Sequence, residues 1–144
     1  MHLTRLLTVT ARLVQEQISA RLAPLNISYA QGMVLVLLYQ APGGSLRQTD
    51  IVDSLGLSRA SGTLVLSHLE AEGLISRNHD PADARRLIIS LTEASEDLEQ
   101  QVHDCFDEVE QIVRRSLQSS QVKETFNALR RMFEDVLRHR TTGA

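Results

Sequence analysis

The sequence predicts a mainly α fold with one small β-hairpin, and three observations carry that prediction. Apolar residues recur at three- and four-residue steps over most of the 144 residues, the spacing of one helical face. Proline, glycine and hydroxyl cap residues cut these stripes into separate helices. Two short apolar runs, LIS and LIIS in the stretch GLISRNHDPADARRLIISLTEAS (residues 73–95), flank a polar segment with Asp80, Pro81, Asp83, Arg85 and Arg86, the pattern of a hairpin.

Composition narrows the class further. A chain of 144 residues fits one domain and can bury roughly 70% of its unfolded surface. With 42% hydrophobic but only 3% aromatic residues, aliphatic packing must carry the core. Cys105 is the single cysteine, so no internal disulfide forms. The N-terminus MHLTRLLTVTARLVQEQIS has charges inside its apolar pattern and is not expected to be a signal peptide. GMVLVLLY, the densest apolar run at residues 32–39, falls far short of the roughly 20 residues a membrane span needs. A cytoplasmic address without membrane partners is therefore expected. The net charge of −3 argues weakly against a general polyanion binder, but it is a whole-chain average. From residue 93 onward eleven acids face seven Lys or Arg, whereas residues 1–25 hold three arginines against one acid.

The elements follow in order. Leu3, Leu6, Leu7, Thr10, Leu13, Val14, Ile18 and Leu22 form one stripe of a first helix, which Pro24 ends. Ser28 with Gln31 reads as a capping box opening a second helix that stops at APGG, residues 41–44. A short link, SLR, leads to a helical stretch, QTDIVDSLGL, whose Ile51, Val52 and Leu55 face one way and whose Gly56 closes it. Ser58 caps the next helix, SRASGTLVLSHLEAEG, ending at Gly73. Two short helices joined by a tight glycine turn make a helix-turn-helix. Leu74–His79 and Arg86–Leu91 read as the strands of a wing, with Asp80–Arg85 as a long polar tip.

Thr92 then caps a helix of about 25 residues with Leu98, Val102, Cys105, Phe106, Val109, Ile112, Val113 and Leu117 on one stripe. A last helix repeats the pattern with Val122, Phe126, Leu129, Phe133, Val136 and Leu137. These stripes exceed what a small winged core covers, and a second copy is the simplest partner for them. The expected organisation is one domain over 1–144: a winged helix-turn-helix core at 28–92, with dimerisation helices at 1–23 and 93–140.

At this point the sequence resembles the MarR family of winged helix-turn-helix transcription regulators, in element order and length over nearly the whole chain. DPADARRLIISLTEAS is similar to the family's wing pattern, with Asp83, Arg85, Leu91, Thr92 and Glu93 in place. HLEAEGLISR, ending at Arg77, is similar to the run that joins the recognition helix to the wing. The resemblance implies a homodimer on a pseudo-palindromic double-stranded DNA operator, its recognition helices in successive major grooves and its wing tips in the flanking minor grooves. It also implies control of transcription, often repression, relieved by a small aromatic or lipophilic effector or by thiol oxidation. No cofactor and no enzymatic activity are implied.

Duplex recognition needs donors to phosphate and side chains at base edges. Arg85, at the wing tip, suits a narrow minor groove, and Arg86 suits phosphate. Asp83 and Arg77 are expected to pair and fix the hairpin. At about 100° per residue, Gly62, Val65, Leu66 and Leu69 share the inner side of the recognition helix. Ala60, Ser61, Leu64, Ser67 and His68 share the outer side, with Thr63 at the edge. Ser58, Ser61 and Arg59 lie at the positive end of the helix, in reach of phosphate. Arg47 and Gln48 open the preceding helix, which crosses the backbone. Leu64 departs from the Arg or Lys common in the family. A leucine packs on a thymine methyl but cannot make the bidentate guanine contact. Gly62 departs too, at a cost of about 1 kcal/mol in an ordinary helix interior.

A ligand crevice, if present, is expected near Arg12, Tyr29, Met33 and Tyr39, by position alone. Cys105 sits inside an apolar stripe, which favours a packed core thiol over the alternative of a redox sensor. A winged-helix interaction module with weakened DNA binding is the other alternative, motivated by Leu64 and Gly62. His103 and Cys105, two apart on a helix, do not make a metal pair, and no metal site is expected.

Overall fold

In a computed structural model, residues 2–140 are described; Met1 and residues 141–144, included in the expected domain, lie outside them. The element order is α1 (Leu3–Leu22), α2 (Tyr29–Gln40), β1 (Ser45–Arg47), α3 (Gln48–Ser54), α4 (Arg59–Ala71), β2 (Ile75–Asp80), β3 (Asp83–Leu91), α5 (Glu93–Asp97), α6 (Glu99–Arg114) and α7 (Ser119–Arg138). The fold is thus mainly α with a small antiparallel wing. Two compact units meet in sequence at Asp107 and Glu108.

In the first unit each helix of the winged part begins and ends where its side chains dictate. Ser28 Oγ accepts the Gln31 N–H at 3.2 Å while Gln31 Oε1 accepts the Ser28 N–H at 2.9 Å, so two orphan donors of α2 are satisfied at once. Helices α3 and α4 both close on a glycine with positive φ, Gly56 at 63° and Gly73 at 75°. At the end of α4 the Leu74 N–H reaches the Leu69 carbonyl and the Gly73 N–H reaches that of Glu70, each at 3.0 Å. This is the Schellman arrangement, which favours glycine because the left-handed position penalises a Cβ. Leu35 and Leu38 of α2, Ile51 of α3, Leu66 and Leu69 of α4 and Ile89 of β3 are fully buried and form the aliphatic floor beneath the wing.

The structure corrects three expectations about the elements. SLR is strand β1, not merely a link. It pairs antiparallel with β3, Leu46 opposite Ile89, making a three-stranded sheet of order β1-β3-β2. Ser45 Oγ and Ser90 Oγ meet across that pair at 2.7 Å. The wing tip is also shorter than expected. Strand β2 runs to Asp80 and β3 starts at Asp83, which stand opposite one another, leaving Pro81 and Ala82 as the turn. Asp80 Oδ1 accepts the Ala82 N–H at 2.9 Å, a side-chain-closed turn that lets the ladder extend outward.

Third, the helix expected after Thr92 is broken at Leu98, between α5 and α6. The cause lies in α2. The Tyr39 hydroxyl donates to the Ser95 carbonyl at 2.5 Å, and the Leu98 N–H takes the same oxygen at 3.2 Å. A side chain inserted into the i→i−4 ladder breaks its regularity. Thr92 still caps as expected, accepting from the Ser95 N–H and donating to the Gly73 carbonyl at 2.6 Å.

Helix α1 buries Ile18 and Leu22 at its C-terminal end, while Leu3, at 65% exposure, and Leu6, Leu7 and Leu13 stay exposed. In the second unit the stripe of α7 is likewise uncovered, from Phe126 through Leu129 and Phe133 to Val136 at 73% exposure. Among the described residues no single helix is long and apolar enough to cross a membrane.

Candidate nucleic-acid interface

Helix α4 sorts its residues by face. Gly62, Val65, Leu66 and Leu69 are buried, whereas Ser58, Arg59, Ala60, Ser61, Thr63, Leu64 and His68 are exposed and Ser67 is half-buried. The outer surface is therefore made of small and hydroxyl side chains around one large apolar group, Leu64, at 59% exposure. Ser58 accepts the Ser61 N–H at 3.1 Å and its hydroxyl donates to Ser61 Oγ at 2.9 Å. Both hydroxyls thus sit at the positive end of the helix dipole, beside Arg59.

Gly62 has a structural reason that its sequence context did not reveal. A Cβ there would lie 2.6 Å from Val52 Cγ2, so any side chain at this position would require Val52 to shift. Here the intrinsic helix cost of glycine is set against packing of Val52 within the helix-turn-helix. Gly32 makes a close approach too, where a Cβ would meet the end of the Leu22 side chain at 2.7 Å and Phe106 at 3.3 Å.

The wing reaches out from β2 and β3 with two sets of charges. Asp83 Oδ1 accepts the Arg85 N–H at 3.0 Å and Arg85 Nε at 3.2 Å, and its Oδ2 lies 3.5 Å from Arg86 Nε. These hydrogen bonds, the backbone one first, hold the Asp83 carboxyl below the usual carboxylate range. The Arg85 side chain is 92% exposed. The expected pairing of Asp83 with Arg77 is therefore overturned. Arg77, on β2, instead donates to Glu70 Oε1 at 3.0 Å and to Ser67 Oγ at 3.4 Å, and its guanidinium lowers the Glu70 carboxyl. It fastens the wing to the flank of α4. Residues i and i+2 of a strand share a face, so the Asp83–Arg85 contact was readable in the sequence. The Arg77–Glu70 contact was not, because it depends on the turn at Gly73.

At the start of α3, Arg47 is exposed as its N-cap residue and Gln48 is half-buried. Gln48 Oε1 is shielded from solvent and has no hydrogen-bond partner among the described residues, so Gln48 is turned inward while Arg47 faces out.

The four residues expected near a ligand crevice lie on α1 (Arg12) and α2 (Tyr29, Met33 and Tyr39). Arg12 is exposed on α1, ion-paired with Glu16 at 2.7 Å, and lines an open groove with Gln15, Ser19 and Ala20. Tyr29, Met33 and Tyr39 lie on α2 and are half-buried. Tyr39 is committed to Ser95, and its ring centroid lies 5.4 Å from that of His103. Burial, then the charges of Glu99 and Glu96, push its hydroxyl up to about 12. Cys105 is buried, and its Sγ donates to the Arg21 carbonyl at 3.3 Å. Among the described residues no three His, Cys, Asp or Glu side chains gather to hold a metal ion.

Known proteins match this arrangement. The sequence pattern of the MarR family matches residues 27–87, the span that holds α2, the helix-turn-helix and most of the wing. The organic hydroperoxide resistance transcriptional regulator of Bacillus subtilis is 37% identical over 92 residues, 61% of this chain and 58% of that protein. Such matches span about half the length of the curated relatives, from 42% to 58%. In structure, the chain is similar to Staphylococcus aureus MepR in a MepR–DNA complex, with a TM-score of 0.83 and 26% identity over 94% of this chain and 98% of that one. It is similar also to a MarR transcriptional regulator from Methanosarcina mazei Go1, with a TM-score of 0.79 and 26% identity over 95% and 97% of the two chains. Residues 27–87 thus match the pattern of the MarR family, and the fold around them is similar to that of solved MarR-family transcriptional regulators.

Proposed function

We propose that this chain is a homodimeric, sequence-specific double-stranded DNA-binding regulator of transcription in the cytoplasm, a repressor released when a small aromatic or lipophilic molecule binds. One observation carries the reading: a helix with an exposed face of small and hydroxyl side chains is fastened through Arg77 to a hairpin whose tip holds Arg85 almost wholly in solvent. Helix α4 would enter the major groove, and Arg85 would enter the minor groove beside it, where a narrow groove concentrates negative potential. Arg47, Arg59 and Arg86 would meet phosphates, assisted by the hydroxyls of Ser58 and Ser61 at the positive end of α4. The core at 28–92 would read DNA. The helices at 1–23 and 93–140, which carry exposed leucines, phenylalanines and valines, would bring two cores together.

The MepR–DNA complex among the similar structures supports DNA as the partner. The name of the B. subtilis relative supports a regulatory role. The test is a titration of the pure protein into a fluorescent duplex from its own promoter region, at several salt concentrations and with a panel of aromatic acids. Saturable binding by a dimer is expected, with each phosphate contact adding roughly −0.9 to the slope of log K against log salt. At least one acid should lower the affinity. A monomer, or a protein that binds no duplex at low salt, ends this reading.

A further inference from the structure

We propose that Leu64 is a specificity-determining residue which reads the methyl group of a thymine in the major groove, so that each half of the target site must present a 5-methylpyrimidine to it. The inference rests on the DNA-binding reading above and names what the duplex must carry.

Leu64 is 59% exposed on the face of α4 opposite Val65, Leu66 and Leu69, so packing within the chain does not account for it. A lone exposed leucine is ordinary on a protein surface. What distinguishes this one is its surroundings. Ala60, one turn before it, is also exposed, and the two share a helical face at i and i+4. Ser61 and Ser67 beside them are short, so the surface immediately around Leu64 is low. No guanidinium stands on this face to bind guanine. Arg59 lies five residues before Leu64, well around the helix at about 100° per residue, and Arg77 is held by Glu70 and Ser67. His68, exposed one turn after Leu64 on the same face, can offer a ring nitrogen to a base or phosphate; between it and Ala60, Leu64 is the one large hydrocarbon side chain presented outward. In the major groove the matching feature is the thymine C5-methyl. Burying one methyl between them is worth about a fourfold change in affinity.

The test uses the full chain. Duplexes that bind are selected from a random pool, and each thymine of the selected site is replaced in turn by deoxyuridine, which removes only the methyl. One thymine per half-site is expected to lose about fourfold in affinity on this change. That loss should vanish in Leu64→Ala and persist in Leu64→Met, with both variants folded by circular dichroism. At the same position, 5-methylcytosine should bind better than cytosine by a similar factor. A scan in which no deoxyuridine weakens the wild type, or in which Leu64→Ala loses just as much, overturns the proposal while leaving DNA binding intact. A pool from which nothing is enriched, with no salt-dependent binding to any duplex, overturns the DNA-binding reading and this proposal with it.

Discussion

Helix α4 is held from beneath. Its inner face is buried, its first turn is capped by Ser58, and Gly73 closes its end. The tip of the β2–β3 hairpin has no such floor. Pro81, Ala82, Arg85 and Arg86 are exposed, and what shapes them is Asp83, which gathers both arginines through its two oxygens. The difference teaches how the two parts can share one task. The helix offers a geometry fixed by packing, so its face must already fit a groove. The tip offers charge, held by ionic contacts in solvent that are individually weak and that a phosphate or a minor groove can replace.

The largest way to break the comparison is to disturb the packed side. Gly62→Val would drive a branched side chain into Val52, which a Cβ alone approaches to 2.6 Å. It is expected to lower unfolding stability by about 3 kcal/mol, the upper range for overpacking. Val52→Ala in the same chain should restore part of the loss, as read by urea midpoints.

Next comes the charged side. Arg85→Ala should leave the midpoint unchanged and weaken duplex binding roughly tenfold, as measured by fluorescence anisotropy. If stability falls with it, the tip is not the independent, solvent-held device described here. A smaller effect is expected at the joint between the two parts. Arg77→Met removes the contacts to Glu70 and Ser67 and should weaken binding by about threefold, with faster amide exchange in β2 than in α4.

The smallest effect is a change with pH. The Tyr39 hydroxyl is raised from 10.0 to about 12. A raised value means that the folded state favours the protonated phenol, so its contribution is fully present below pH 10 and lost as pH climbs toward 12. The urea midpoint of the wild type should therefore fall more steeply over that window than that of Tyr39→Phe.

Much of the winged core was legible because its signals are local. Ser28 with Gln31, Ser58, Gly56, Gly73 and Thr92 are caps whose chemistry acts within a turn, and the inner face of α4 follows from helical period alone. Apart from the shorter wing tip, closed locally by Asp80, and the Asp83–Arg85 contact, two residues apart, the misses depend on contacts between distant residues. SLR has too few residues to show alternation, and it becomes a strand only because β3 lies beside it. The break at Leu98 is made by Tyr39, 56 residues from the carbonyl it takes. Gly62 looked like a weakness because the Val52 methyl that requires it sits on another helix. Of the candidate site, the outer face of α4 and the exposed Arg85 were readable. The partner of Arg77 was not.

The most direct test of the account is a hydroxyl-radical footprint of the dimer on its selected duplex, paired with the same footprint for Arg85→Ala. Two protected minor-groove tracts should flank the paired major-groove contacts, with only those outer tracts lost in the variant. Outer protection that survives Arg85→Ala, or protection confined to one continuous face without flanking tracts, would contradict it.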